Sequence, residues 1–166
     1  VDINLRKATL VDAKEIANIH VISWKTSFAG LMPEKYISGH TESSRVDEWK
    51  KIISMNVEKV VVAESNNKVL GFMLFSVKSQ VSRELELSKL YLFPSVYGKN
   101  LGSKFMHFLQ TEATAQGVNT INLYVLDNNE PAIRFYSKHG FEFVDGYVSE
   151  EFEGETIIDL KMTKRV

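Results

Sequence analysis

Gly98 and Gly102, with three residues between them, stand where an apolar run gives way to a helical stripe, an arrangement that can hold an anion. Leu90, Tyr91 and Leu92 read as the end of a strand that Pro94 stops, while Leu101, Phe105, Phe108 and Leu109 fall at the spacing of a core-facing helix. Glycine lets backbone approach a ligand with no Cβ in the way, and Asn100 is the non-glycine type that best tolerates a left-handed conformation. A helix starting here points its unpaired N–H groups, and the positive end of its dipole, at whatever lies above it. A pyrophosphate suits such a turn. A nucleoside-triphosphate loop does not fit, because it needs four residues before a Gly-Lys-Ser/Thr triplet and here Gly102 is followed by Ser103-Lys104. A dinucleotide fingerprint needs glycine where Asn100 stands.

A second pattern begins at Asn129. Asn129 suits a helix N-cap, Pro131 the first turn and Gly140 the left-handed residue past the last turn, which predicts a short helix from about Glu130 to His139. The segment Asn129-Glu130-Pro131-Ala132-Ile133-Arg134-Phe135-Tyr136-Ser137-Lys138-His139-Gly140-Phe141 resembles the Asn-x-x-Ala-Ile-x-Phe-Tyr-x-Lys-x-Gly-Phe signature of the GCN5-related N-acetyltransferase (GNAT) superfamily. Tyr97-Gly98-Lys99-Asn100-Leu101-Gly102 is similar to that superfamily's acetyl-coenzyme A loop, Arg/Gln-Gly-x-Gly-Ile/Leu-Gly, with Tyr97 and Asn100 departing from it. Because main-chain N–H groups hold the diphosphate in such loops, the departures bear on side-chain contacts more than on backbone ones.

The resemblance implies an α/β GNAT fold: a mixed, mostly antiparallel sheet of about seven strands, splayed between the fourth and fifth and flanked by about four helices. It implies that Gly98, Lys99, Asn100, Leu101, Gly102 and Ser103 bind the coenzyme A phosphates. Backbone of Leu90, Tyr91 and Leu92 holds the pantetheine arm, and Asn129 bonds the cofactor or orders its turn. Lys138 is a further phosphate contact, although for Lys99 and Lys138 an exposed surface charge is the other reading.

The implied activity is acetyl transfer from acetyl-coenzyme A to an amine, by direct attack in a ternary complex. An alkylammonium, with a pKa of about 10.4, has no lone pair, so a base must take its proton and an acid must protonate the departing thiolate. Tyr136 is the expected acid, since in the superfamily that hydroxyl reaches the coenzyme sulfur. Glu86, on the fourth strand, is the expected base through a water chain, with Glu84 the second choice; a solvated or ion-paired charge is the plain reading of each. The superfamily's alternative place for a basic glutamate, on strand five, is occupied by Tyr124. Ser23-Trp24-Lys25-Thr26-Ser27-Phe28-Ala29-Gly30-Leu31-Met32-Pro33 resembles the Ser-Trp-Arg-x-x-Tyr-x-Gly-x-x-Pro segment of small bacterial members. It points to Trp24, Phe28 and Tyr36 as walls of an amine pocket, joined by Glu84 at its mouth.

These groups must be positioned by strands and helices that the pattern also predicts. Ile3 to Lys7 read as the first strand, and Thr9 with Asp12 as a capping box for a helix whose face carries Ala13, Ile16, Ala17, His20 and Trp24. Ile19, Val21 and Ile22 suggest that the far end of this helix is buried all round. A short helix covers Glu34 to Ser38, and a second box, Ser44 with Asp47, starts a helix with Val46, Trp49 and Ile53 inside. Val60 to Glu64 and Val69 to Val77 form a hairpin over Asn66-Asn67. The fourth strand, Glu84 to Leu92, switches its apolar residues from odd positions (Leu85, Leu87) to even ones (Leu90, Leu92), which predicts a β-bulge near Ser88 or Lys89. A helix from Asn100 to Gln116, a strand from Thr120 to Val125 and a final pair, Phe141 to Tyr147 and Thr156 to Met162, complete the reading. The acidic run Glu150-Glu151-Phe152-Glu153 reads as a solvated turn or, with Glu84 and Glu86, as a lure for polyamines.

The 166 residues fit a single N-acetyltransferase domain, long enough to bury about two thirds of its unfolded surface. A net charge of −1 supplies no global field for nucleic acid or an anionic membrane. The absence of cysteine excludes disulfides, thiolate metal sites and a cysteine nucleophile. His20, His40, His107 and His139 lack metal-ligand spacing, so no metal is expected. No apolar run approaches about 18 residues and no signal pattern opens the chain, which favours a cytoplasmic enzyme; the start without methionine is compatible with trimming. The expected partner is a small-molecule or peptide amine. A homodimer stays open, and a non-catalytic acetyl-coenzyme A sensor is the reading from another class.

Overall fold

In a computed structural model, residues 2–79 and 81–166 of the chain are described. They form β1 (Asn4–Lys7), α1 (Ala13–Ser27), α2 (Glu34–Ser38), α3 (Glu42–Met55), β2 (Lys59–Ser65), β3 (Lys68–Ser79), β4 (Glu84–Leu92), α4 (Leu101–Ala115), β5 (Thr120–Leu126), α5 (Glu130–Lys138), β6 (Glu142–Phe152) and β7 (Glu155–Arg165). The sheet runs β1-β2-β3-β4-β5-β7-β6. Neighbouring strands are antiparallel except β4 and β5, whose parallel pairing spans only Glu84↔Thr120 to Glu86↔Asn122. Beyond Glu86 the two strands part, and the gap between them is the core of the site.

Period-two alternation sends each strand's side chains to two cores. Val60, Val62, Phe72 and Leu74 pack with Ile16, Ile19 and Trp49 of α1 and α3. Val61, Ala63, Met73, Phe75, Leu85 and Leu87 pack with Leu101, Phe105 and Leu109 of α4. Each such leucine or phenylalanine stabilises the fold by roughly 1.5–3 kcal/mol. The bulge lies where the alternation slips: Leu74 pairs with Lys89 but Phe75 with Leu87, leaving Ser88 as the surplus residue. Leu90 and Leu92 therefore stay on the α4 side with Leu85 and Leu87, while Tyr91 and Phe93 turn toward α1.

The Asn66-Asn67 turn has positive φ at both residues, 51° and 61°, as its composition predicts. Other boundaries move. The α3 helix begins at Glu42, capped by Thr41, whose Oγ1 accepts from the Ser44 N–H at 3.3 Å, so the Ser44–Asp47 box lies inside it. The Thr9–Asp12 box does form, with Thr9 N–H donating to Asp12 Oδ2 at 2.7 Å, but it opens a 3-10 turn over Leu10–Asp12 before α1 begins. Val21 and Ile22 are only half-buried, because α1 leans its opposite face on α3 and the sheet. The final hairpin is longer than expected, so Glu150, Glu151 and Phe152 belong to β6 and the turn falls at Glu153-Gly154, with φ of 49° and 81°. Among the described residues five α-helices flank the sheet, the short α2 read from the sequence at Glu34 to Ser38 included.

Candidate active site

The parted strands open a cavity of about 780 Å³. One half is built by the β4–α4 turn and α5. Gly98 has φ of +76° and nothing within 4 Å of where a Cβ would stand; Asn100 caps α4 in the left-handed conformation at φ 63°. The first backbone bond of α4 runs from Lys104 N–H to the Asn100 carbonyl at 3.1 Å. The N–H groups of Leu101, Gly102 and Ser103 are thus the helix's unpaired donors. Gly98, Asn100, Leu101, Gly102 and Ser103 all line the cavity, as do Leu90, Tyr91, Leu92 and Asn129. Lys99 does not; its place in the turn is exposed, whereas Lys138 reaches the cavity wall.

Asn129 Oδ1 accepts from the Ala132 N–H at 3.4 Å and starts α5 over the cavity. Two turns on, Tyr136 faces inward, its ring edge-on to Phe135 (5.3 Å between centroids) and Phe141 (5.8 Å). Its hydroxyl has no hydrogen-bond partner among the described residues, and burial, then the neighbouring Tyr91, pushes its pKa well above that of a free phenol. It is protonated at neutral pH.

The other half is aromatic and acidic. Trp24, Phe28 and Tyr36 line it, with Trp24 stacked on Tyr36 at 5.8 Å and edge-on to Phe28 at 5.4 Å. Trp24 Nε1–H donates to the Tyr91 hydroxyl at 3.1 Å, and Tyr91 in turn stacks on the buried His20 at 5.4 Å. His20 Nδ1 accepts from Trp49 Nε1–H at 3.1 Å, and burial, then the charges of Arg45 and Lys89, drives its pKa down to about 2. His20 is therefore a neutral prop behind the wall. The Tyr36 hydroxyl donates to Glu150 Oε2 at 2.6 Å, joining α2 to β6.

Two carboxylates line this half: Glu150, from the acidic run offered as a lure for polyamines, and Asp159, which sequence reasoning did not assign. Burial first, then Asp127 and Glu150, raises the Asp159 pKa, and no cationic side chain pairs with Asp159 among the described residues. Glu150 was visible in the acidic run, but Asp159 gave no signal, since only the β5–β7 register carries it to the gap. Glu86 and Glu84 lie outside the cavity lining. Glu86 sits 3.5 Å from Lys78 Nζ and accepts from Ser88 Oγ at 3.3 Å, and Ser88 does line the cavity. Glu84 accepts from Ser82 at 3.0 Å and from Asn122 Nδ2 at 3.4 Å, within the zipped part of β4 and β5.

Coenzyme A fits this geometry: a left-handed turn without side-chain obstruction, three unpaired N–H donors at a helix start and a gap between strands with β4 backbone exposed. Known proteins agree. A family model described as "Acetyltransferase (GNAT) family" matches residues 21–141. The chain is 28% identical over 145 residues to an uncharacterized N-acetyltransferase, YuaI, of Bacillus subtilis, covering 86% of this chain and 82% of that protein. It is 26% identical over 151 residues to a spermidine N(1)-acetyltransferase of Thermoplasma acidophilum, covering 86% and 90%. Among solved structures, the PaiA N-acetyltransferase of Thermoplasma acidophilum in complex with coenzyme A superposes with a TM-score of 0.81 over 100% of both chains, at 23% identity.

Proposed function

The chain belongs to the acetyltransferase (GNAT) family, and from that premise we propose how its own residues perform acetyl transfer to an amine. It is an acetyl-coenzyme A-dependent N-acetyltransferase. The N–H groups of Leu101, Gly102 and Ser103, with the open turn at Gly98, hold the diphosphate, and the β4 backbone at Leu90 to Leu92 holds the arm that carries the thioester. Tyr136 donates its hydroxyl proton to the departing sulfur. An acid is required there, and Tyr136 is protonated, lines the cavity and has no hydrogen-bond partner for its hydroxyl among the described residues. Backbone N–H near Leu90 steadies the developing negative charge on the acetyl oxygen. For the base, Glu86 takes the amine's proton through water and the Ser88 hydroxyl; Ser88 lines the cavity, and its hydroxyl donates to the carboxylate.

The acceptor is a small-molecule primary amine that carries a second positive charge. Glu150 and Asp159 supply negative charge to an otherwise aromatic pocket, where an ammonium gains from both the carboxylates and the ring faces. The Thermoplasma acidophilum relative is named for spermidine, which has that character. An acceptor bearing a carboxylate would be repelled.

The observation that carries this reading is the convergence of Tyr136 and the Gly98–Ser103 turn on one cavity. Free-thiol release from acetyl-coenzyme A, measured with a panel of diamines, monoamines, amino acids and peptides, tests it. Turnover with diamines above all others is expected. No thiol release with any amine, while coenzyme A still binds, would favour a non-catalytic sensor.

A further inference from the structure

His139, the residue after α5, lies with Nε2 3.2 Å from the Ser103 Oγ, its ring tilted against Phe135 at 4.7 Å between centroids. Ser103 is in the first turn of α4 and lines the cavity where the proposed function puts the diphosphate. A hydroxyl has one proton to donate. When the imidazole presents a lone pair at Nε2, the Ser103 proton points to His139 and only oxygen lone pairs face the cavity. When the imidazole is charged, Nε2–H donates to Oγ and the Ser103 proton is free to meet a phosphate oxygen. We propose that His139 is a positioning residue for the coenzyme: by protonating, it turns the Ser103 hydroxyl into a donor toward the diphosphate. The inference rests on the reading of the Gly98–Ser103 turn as the diphosphate site.

The charged groups that face the ring are Lys138 of α5 and Lys164 of β7, while α4 presents the uncharged Ser103. Lys164 is itself held by Gln110 of α4, its Nζ donating to Oε1 at 2.8 Å. Burial, then these two cations, lowers the His139 pKa below the usual histidine value, so the free protein holds a neutral ring at neutral pH. A diphosphate brings negative charge to the same corner and favours the imidazolium. Binding therefore draws in a proton, and affinity rises as pH falls.

Dephospho-coenzyme A is the probe of choice, because it keeps the diphosphate but lacks the phosphate monoester that itself titrates at a pKa of about 6. Calorimetry between about pH 5 and 8, in buffers of different ionisation enthalpy, reads both affinity and proton uptake. Expected is binding about fivefold tighter at the acid end, the worth of roughly one added hydrogen bond, with net proton uptake near neutrality. His139→Phe should abolish the pH dependence and the uptake. In His139→Gln, the side-chain amide donates to Ser103 without titrating, so binding should be tight and flat with pH. A flat wild-type profile, or an unchanged pH dependence in His139→Phe, overturns the proposal. Absence of binding at every pH would instead overturn the diphosphate reading beneath it.

Discussion

The Phe135 ring closes on the backbone of Gly102: a β-carbon at position 102 would stand 2.8 Å from Phe135 Cε1. This is the contact by which α5 docks on the start of α4, and it aligns the two helices that flank the coenzyme half of the cavity. Gly102→Ala should overpack it and lower stability by about 1–3 kcal/mol. Adding Phe135→Leu should recover part of the loss, which thermal melts of the single and double variants would reveal as non-additivity.

Removing the Tyr136 hydroxyl takes away the proposed acid and leaves the cavity walls intact. Tyr136→Phe should lower kcat by about 10²- to 10⁴-fold with coenzyme A affinity unchanged. Steady-state kinetics beside calorimetry checks both halves; a variant that kept full turnover would remove Tyr136 from the mechanism.

Asp159→Asn should raise KM for a diamine by about tenfold or more, the scale of a charge-assisted hydrogen bond, and leave a monoamine's KM nearly untouched. Because the Asp159 pKa is raised, its charge is lost on acidification sooner than an ordinary aspartate's. The diamine KM of the native protein should therefore climb as pH falls, and the Asn variant should lack that component.

His20 gives the fold its own acid sensitivity. Its pKa lies at about 2 in the folded chain against 6.5 when exposed, so below pH 6.5 the unfolded state takes a proton that the folded state refuses. The associated stability is fully present above 6.5 and is lost as pH drops toward 2, with a slope of about 1.4 kcal/mol per pH unit. Denaturant titrations from neutral to acid pH should show this slope, and His20→Phe should lessen it.

What the sequence made legible was local. The Asn66-Asn67 turn, the slip in the alternation of β4 and the caps at Asn100 and Asn129 are short-range backbone preferences, and each appears where its residues predict. The Ser44–Asp47 pattern misled because Thr41 offered an earlier cap, its Oγ1 accepting from the Ser44 N–H. Asp159 could not be read at all. Its place depends on β7 pairing with β5 across the parted sheet, a relation between residues distant in the chain. Glu86 and Glu84 share a face of β4, as alternation requires, but that face turns toward Lys78 and Asn122 rather than into the gap.

The surplus residue at position 88 makes β4 a strand of two parities. Before it, odd-numbered leucines feed the α4 layer; after it, even-numbered ones do. Deleting Ser88 alone would restore strict alternation, Leu87-Lys89-Leu90-Tyr91-Leu92, leaving Leu90 and Leu92 toward α4 and Tyr91 toward α1 but removing the bulge that bends the strand. One lost codon would thus keep both walls of the reaction chamber and straighten the strand between them, a change of backbone shape without a change of layer.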